Sequence, residues 1–245
     1  MKRIVLTLVV VVCMGTSVFA SSNDCSGLPN ESELRAKLVA APSAGGDAGG
    51  LFHGKQMWAA VVNRDGEICG AVTSTADPTQ VWPGSQAIAK AKAYTGNAFS
   101  LDGLALSSAM LYTFTQPGHS LWSLGQSNLW NPEFTAPPGG HDGEDRDSRI
   151  GGGLIFFGGG VPLYKNGKII GGLGISGDTS CADHEIAKRV RNLLGLNPPG
   201  GATVDDIVYS PPDPPSVFAH PVCVNTWRNG MFIGNEKKAT YPMEP

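Results

Sequence analysis

The run Ile169-Ile170-Gly171-Gly172-Leu173-Gly174-Ile175-Ser176 limits what this chain can fold into more than any other stretch. It carries no charge and its branched apolar side chains leave no polar face, so it can only be buried. Its glycines let a strand pack closely against a helix, and mark bulges or tight bends. Lys165-Asn166-Gly167-Lys168, just before it, reads as a hairpin turn with Val161–Tyr164 as the partner strand. Gly177-Asp178-Thr179, just after it, opens a helix over Ser180–Leu194 that Gly195 stops. Ile186, Val190, Leu193 and Leu194 give that helix its apolar face.

The same grammar occurs upstream. Glu31–Ala41 reads as a short helix with Asn30 as N-cap and Leu34, Leu38 and Val39 on one side. The stretch from Ser43 to Gly50 has the composition of a flexible linker. Met57–Val62 and Glu67–Thr73 flank an Asn-Arg-Asp-Gly turn and read as a second hairpin. Pro83 and Gly84 start an alanine-rich helix over Ser85–Thr95, and Leu104–Phe114 reads as short helical turns. Leu121 to Arg149 is a long polar, Pro/Gly-rich excursion of the kind that is functional or poorly ordered. Leu154–Phe157 reads as a further strand, and Asp205–Tyr209 as an edge strand in a Pro-rich tail. Helix, hairpin, helix, hairpin, helix implies an α+β fold: an antiparallel sheet with helices packed on it.

The N-terminus is of a different kind. Lys2 and Arg3, an apolar Ile4–Met14 and small residues ending in Val18-Phe19-Ala20 have the form of a secretory signal peptide, cleaved after Ala20. Val12 before Cys13 is not the small residue that lipidation needs. Without the leader the net charge moves from −3 to −5 through the loss of Lys2 and Arg3. That charge excludes a basic footprint for nucleic acid, and no polybasic run or remaining span offers membrane insertion. The expected location is the periplasm or the exterior. Residues 21–50 then form an N-terminal helix and linker, 51–196 the main domain, and 197–245 a Pro-rich extension.

Four cysteines remain: Cys25, Cys69, Cys181 and Cys223. In an exported chain they favour two disulfides, with three possible connectivities. Cys181–Cys223 would staple the tail to the last helix and leave Cys25–Cys69. Catalytic signatures are missing. Gly174-Ile175-Ser176-Gly177 is not a nucleophile elbow, and His184-Glu185 is followed by Lys188 where a zinc protease needs His. No glycine run ends in Gly-Lys-Ser/Thr. Asp142, Glu144, Asp145 and Asp147 lack the downstream Glu of a calcium loop.

Gly158-Gly159-Gly160-Val161-Pro162-Leu163, the Asn-Gly hairpin and Gly171–Gly177, followed by Asp183 and Ala187, resemble the signature of GlcG/HbpS-type domains. Such domains are also attached to PduO-type corrinoid adenosyltransferases. Pro83–Ala89 with Lys92-Ala93-Tyr94-Thr95 and Phe99 resembles the central helix of that family. Together these segments cover Trp58 to Leu196. The resemblance implies a profilin-like sheet flanked by helices, a homo-oligomer and, in several members, bound haem. The long loop insertion and the tail depart from the shortest members.

On that resemblance the first expectation is non-covalent binding of haem or another small molecule, for sequestration, sensing or handling. Lys92, Tyr94, Phe99, Gly159, Gly160, Ser176 and Gly177 would line a groove between the signature strands and the central helix. Lys92 would meet a propionate or another carboxylate. Among His53, His119, His141, His184 and His220, the favoured iron ligands are His119, near Trp122 and Trp130, and His184, beside Asp183. Taken singly, each is more readily read as a surface or structural histidine than as a ligand. Gly177-Asp178-Thr179 offers free amides to an anion, though ordinary N-capping accounts for it more simply. The alternatives are an exported enzyme using Lys92, Tyr94 or Asp183 as acid–base groups, and a ligand-free oligomeric partner subunit.

Overall fold

The computed structural model describes residues 25–125 and 153–238. The leader, Trp130, His141 and the acids at 142–147 lie outside the described residues. Two hairpins build one four-stranded antiparallel sheet in the order β2-β1-β4-β3. The first joins β1 (Trp58–Asn63) to β2 (Ile68–Thr73), and the second joins β3 (Gly160–Lys165) to β4 (Lys168–Ser176). In the second turn Asn166 and Gly167 both have positive φ, 52° and 77°, the backbone of a type I′ turn that fits the twist of the flanking strands.

Side-chain alternation assigns the two faces. Ala59 and Val61 of β1, Val161 and Leu163 of β3, and Leu173 and Ile175 of β4 point into the larger core. There they meet Leu34 and Leu38 of α1 (Glu31–Ala40) and Ile186 and Val190 of α3 (Ser180–Leu193). Trp58, Ala60 and Val62 point the other way, toward Ala89 and Ala93 of α2 (Gly84–Ala98). On that side β4 presents Gly172 and Gly174. A Cβ on Gly172 would run into the Ala93 carbonyl oxygen, and one on Gly174 into that of Ala89. Helix α2 therefore lies directly on the strand backbone, as the glycine run predicts, and no groove separates them.

The sheet edges are blunted. Beside β3, Pro162 has no amide hydrogen, the Tyr164 amide donates to the Leu196 carbonyl at 2.9 Å and the Gly160 amide to Ser108 Oγ at 2.8 Å. That hydroxyl also donates to the Phe157 carbonyl at 2.7 Å, so residues 154–157 leave the sheet as irregular chain and form no strand. Only Val208–Tyr209 (β5) of the expected edge strand pairs, in parallel with Ala219–His220 (β6) and apart from the main sheet. A last hairpin joins β7 (Thr226–Arg228) to β8 (Met231–Gly234).

The glycine-rich stretch at 43–50 is fixed rather than free. The Arg189 guanidinium donates to the carbonyls of Ala41, Pro42, Gly45, Gly46 and Asp47 at 2.9–3.3 Å and to Glu185 Oε1 at 3.1 Å. Replacing Arg189 by Met is expected to cost about 2 kcal/mol, the order of a charge-assisted network, and to open residues 43–50 to limited proteolysis. Unchanged cleavage would show that the chain there holds itself. Both disulfides have the connectivity read from the sequence, Cys25–Cys69 and Cys181–Cys223. Among the described residues no helix is long and apolar enough to cross a membrane.

Candidate functional site

Where α2, the start of β3 and α3 converge, the interior is charged. Lys92 Nζ lies 2.6 Å from Asp183 Oδ2, with the two side chains 0% and 2% exposed. Nζ also donates to the Ile175 carbonyl at 3.1 Å and sits 5.0 Å from the centre of the Phe157 ring. Asp183 Oδ1 accepts the Asp178 amide at 2.9 Å. Burial pushes the Lys92 ammonium below its usual range while Asp183 pulls it back; burial likewise raises the Asp183 carboxyl to about 6 against the pull of Lys92. The carboxylate that Lys92 meets is thus supplied by the protein itself.

Gly159 makes this pair possible. Its φ of +120° suits glycine, and a Cβ there would stand 2.7 Å from Lys92 Nζ and 3.0 Å from Asp183 Cβ. Gly160 lies against the Lys92 backbone. The amide-rich corner before α3 is filled from within as well. Thr179 Oγ1 accepts the Ala182 amide, and Asp178 accepts the amides of Leu51, Phe52 and Thr179 at 2.6–2.8 Å.

Above Phe157 the surface opens into an aromatic cleft of about 280 Å³ whose walls include Tyr112, Trp122, Phe156 and Phe157, with Thr115 and Gln116 as polar groups. Among the described residues no charged side chain lines it. Phe99, half-buried at the end of α2, packs edge-on against Phe156 at 6.0 Å. The Phe157 ring is the link between the cleft and the buried pair.

The structure brings Lys92, Gly159, Gly160 and Phe99 to this region. Tyr94 is half-buried on α2. Ser176 and Gly177 lie instead at the end of β4, Ser176 in register with Trp58 and Gly177 against the Gln56 carbonyl. His119 is exposed in the turn that leads to Trp122, whose amide donates to the His119 carbonyl at 3.1 Å. His184 is 1% exposed. Neither of its ring nitrogens has a hydrogen-bond partner among the described residues, and Nε2 stands 3.6 Å from Asp206 Oδ1. Sequence reasoning missed Tyr112, Phe156 and Phe157. The apolar run at 154–157 has the signature of a strand, and nothing local marks it as a cleft wall.

Residues 40–191 match the HbpS-like family, described as haem degrading protein HbpS-like. No curated protein matches the chain. Among solved structures it is similar to a PduOC:haem complex, at 21% identity over 66% of this chain and 88% of that one, with a TM-score of 0.45. It is also similar to the Klebsiella pneumoniae protein ORFY, at 19% identity over 70% and 96%, with a TM-score of 0.45. A third is HbpS, at 20% identity over 66% and 84%, with a TM-score of 0.43. The family match takes in both hairpins, α2 and most of α3, well over half of the sequence, and on that ground the chain belongs to the HbpS-like family.

Proposed function

We propose that this protein is an exported haem-binding member of its family, which takes haem non-covalently in the aromatic cleft beside the signature glycines. The observation that carries the reading is the cleft itself. Four aromatic rings, with no charged side chain beside them among the described residues, offer a slot suited to a planar apolar macrocycle, within the span of the family match. The PduOC:haem complex named among the similar structures agrees with that ligand class. At about 280 Å³ the slot lies at the lower end of small-molecule sites. A macrocycle would enter edge-on and leave its propionates toward solvent. The donors suited to iron are the Tyr112 hydroxyl in the wall and His119 on the adjoining turn; His184 is reached only if the segment around Asp206 moves. Lys92 acts from beneath, holding Phe157 in place. Two disulfides favour an oxidising compartment, and the same reading has the chain working as a homo-oligomer. The family description names haem degradation, of which binding is the part that the cleft supports.

A haemin titration of the mature protein tests this. A saturable, stoichiometric Soret shift is expected, weakened at least tenfold in Phe157→Ala and shifted in wavelength in whichever of Tyr112→Phe, His119→Ala or His184→Ala removes the iron ligand. A shift no greater than that of a non-specific control protein, or one indifferent to Phe157, would sink the reading.

A further inference from the structure

His220 lies in the tail, outside the family match, and is 2% exposed. Its Nδ1 stands 2.7 Å from the Pro221 carbonyl oxygen, which can only accept. Nδ1 therefore carries the ring proton, and Nε2 presents its lone pair. A backbone carbonyl holding the far nitrogen is the arrangement found behind metal-binding histidines. Nε2 faces the Gly158 amide at 3.2 Å and Ser180 Oγ at 3.5 Å. It also faces the sulfurs of Cys181 and Cys223, and the three donor atoms all lie within 4.8 Å of one another. Cys223 Sγ accepts the Cys181 amide at 3.2 Å in the first turn of α3 and has Ser180 Oγ at 3.3 Å, surroundings that stabilise a thiolate.

The geometry points to a redox-gated metal site in which Cys181, Cys223 and His220 hold a thiolate-preferring cation such as Zn2+ once their disulfide is reduced. A dithiol reductant supplies two electrons and two protons and leaves as its own disulfide. The bond between the two sulfurs breaks to give two thiols, and each releases its proton as the cation binds. Two sulfurs and an imidazole nitrogen match the ligand preference of zinc. A tetrahedral site sets such donors about 3.5–4 Å apart, within the space that the three atoms already share. Ser180 Oγ or a water completes the four. Nε2 exchanges the Gly158 amide for the cation, and only the tail must shift, because Cys181 is fixed in α3.

Co2+ serves as the visible probe. The protein is reduced with a phosphine, desalted under nitrogen and titrated. The expected result is one Co2+ per chain with thiolate-to-metal charge transfer and the intense bands of tetrahedral cobalt, displaced by Zn2+. The oxidised protein should give none, and His220→Ala should bind at least tenfold more weakly. If the reduced protein loses its native circular dichroism, recovery of that signal on adding Zn2+, dependent on His220, supports the site equally. No cobalt spectrum and no recovery overturns the proposal. So does an unchanged spectrum in Cys181→Ser/Cys223→Ser, where only Cys25 and Cys69 remain to bind.

Discussion

Replacing Lys92 by Met is expected to lower the unfolding free energy by about 3–5 kcal/mol, because it strands the Asp183 carboxylate in the interior. The pair lies at 0% and 2% exposure, so water cannot take over from the lost partner. Asp183→Asn should cost less, since the amide oxygen can still accept from Asp178 while the ammonium keeps the Ile175 carbonyl. The combination Lys92→Met/Asp183→Asn should recover most of the loss of the lysine variant, as removing both charges of a buried pair usually does. Urea denaturation of the four proteins reads this cycle. Single-variant losses below about 1 kcal/mol, or a double variant as weak as the sum of the singles, would mean that the pair is solvated or uncoupled. In the haem titration, Lys92→Met should also loosen the cleft wall, since Phe157 loses the cation beneath it.

The second large effect belongs to Gly174→Val. The first carbon of the new side chain already overlaps the Ala89 carbonyl oxygen, a backbone atom that cannot swing aside. Helix α2 must lift off β4, and overpacking of this kind costs about 3 kcal/mol or more. Gly174→Ala should go the same way by a smaller amount. Gly84→Ala is the internal control, with nothing near its Cβ and a place at the first turn of the same helix; it should be neutral or slightly stabilising. Thermal midpoints of the three separate close packing from a general intolerance of side chains in glycine-rich chain. A Gly174→Val protein as stable as the wild type would refute direct contact between helix and strand.

Both effects bear on what the sequence made legible. The hairpins announce themselves through Asp-Gly and Asn-Gly turns, and the glycines of β4 through a run that no exposed element could carry. Thr179 marks the start of α3 by its cap. What could not be read is whatever depends on distant chain. Lys92 sits in an alanine-rich helix, where a lysine looks solvated, and its partner lies 91 residues away. Asp183, His184, Glu185, Lys188, Arg189 and Arg191 are all buried, although their pattern along α3 is that of a wet surface. Asp183 is covered by α2 and Gly159, and the cover of the others comes largely from the tail and from the stretch at 41–47, segments with no periodicity of their own. The aromatic cleft was hidden for the converse reason. Leu154–Phe157 has the composition of a strand, but the Ser108 hydroxyl takes the Phe157 carbonyl and the Thr95 hydroxyl takes the Ile155 amide, both from distant chain.

The tail's grip on α3 has a consequence for how this protein can be divided. The family match ends at Arg191, yet that residue's guanidinium is fully buried and forked onto Asp205 at 2.6 and 2.7 Å. Lys188 reaches Asp206 at 2.7 Å and Asn229 at 3.0 Å, and Cys181 is bonded to Cys223. The boundary of kinship is therefore not a seam of the molecule. The last fifty-odd residues lie outside the match, yet they supply the carboxylates that face Arg191 and Lys188 on the helix that closes the shared fold. The tail cannot be cut away there without leaving the buried Arg191 cation of that helix unpaired.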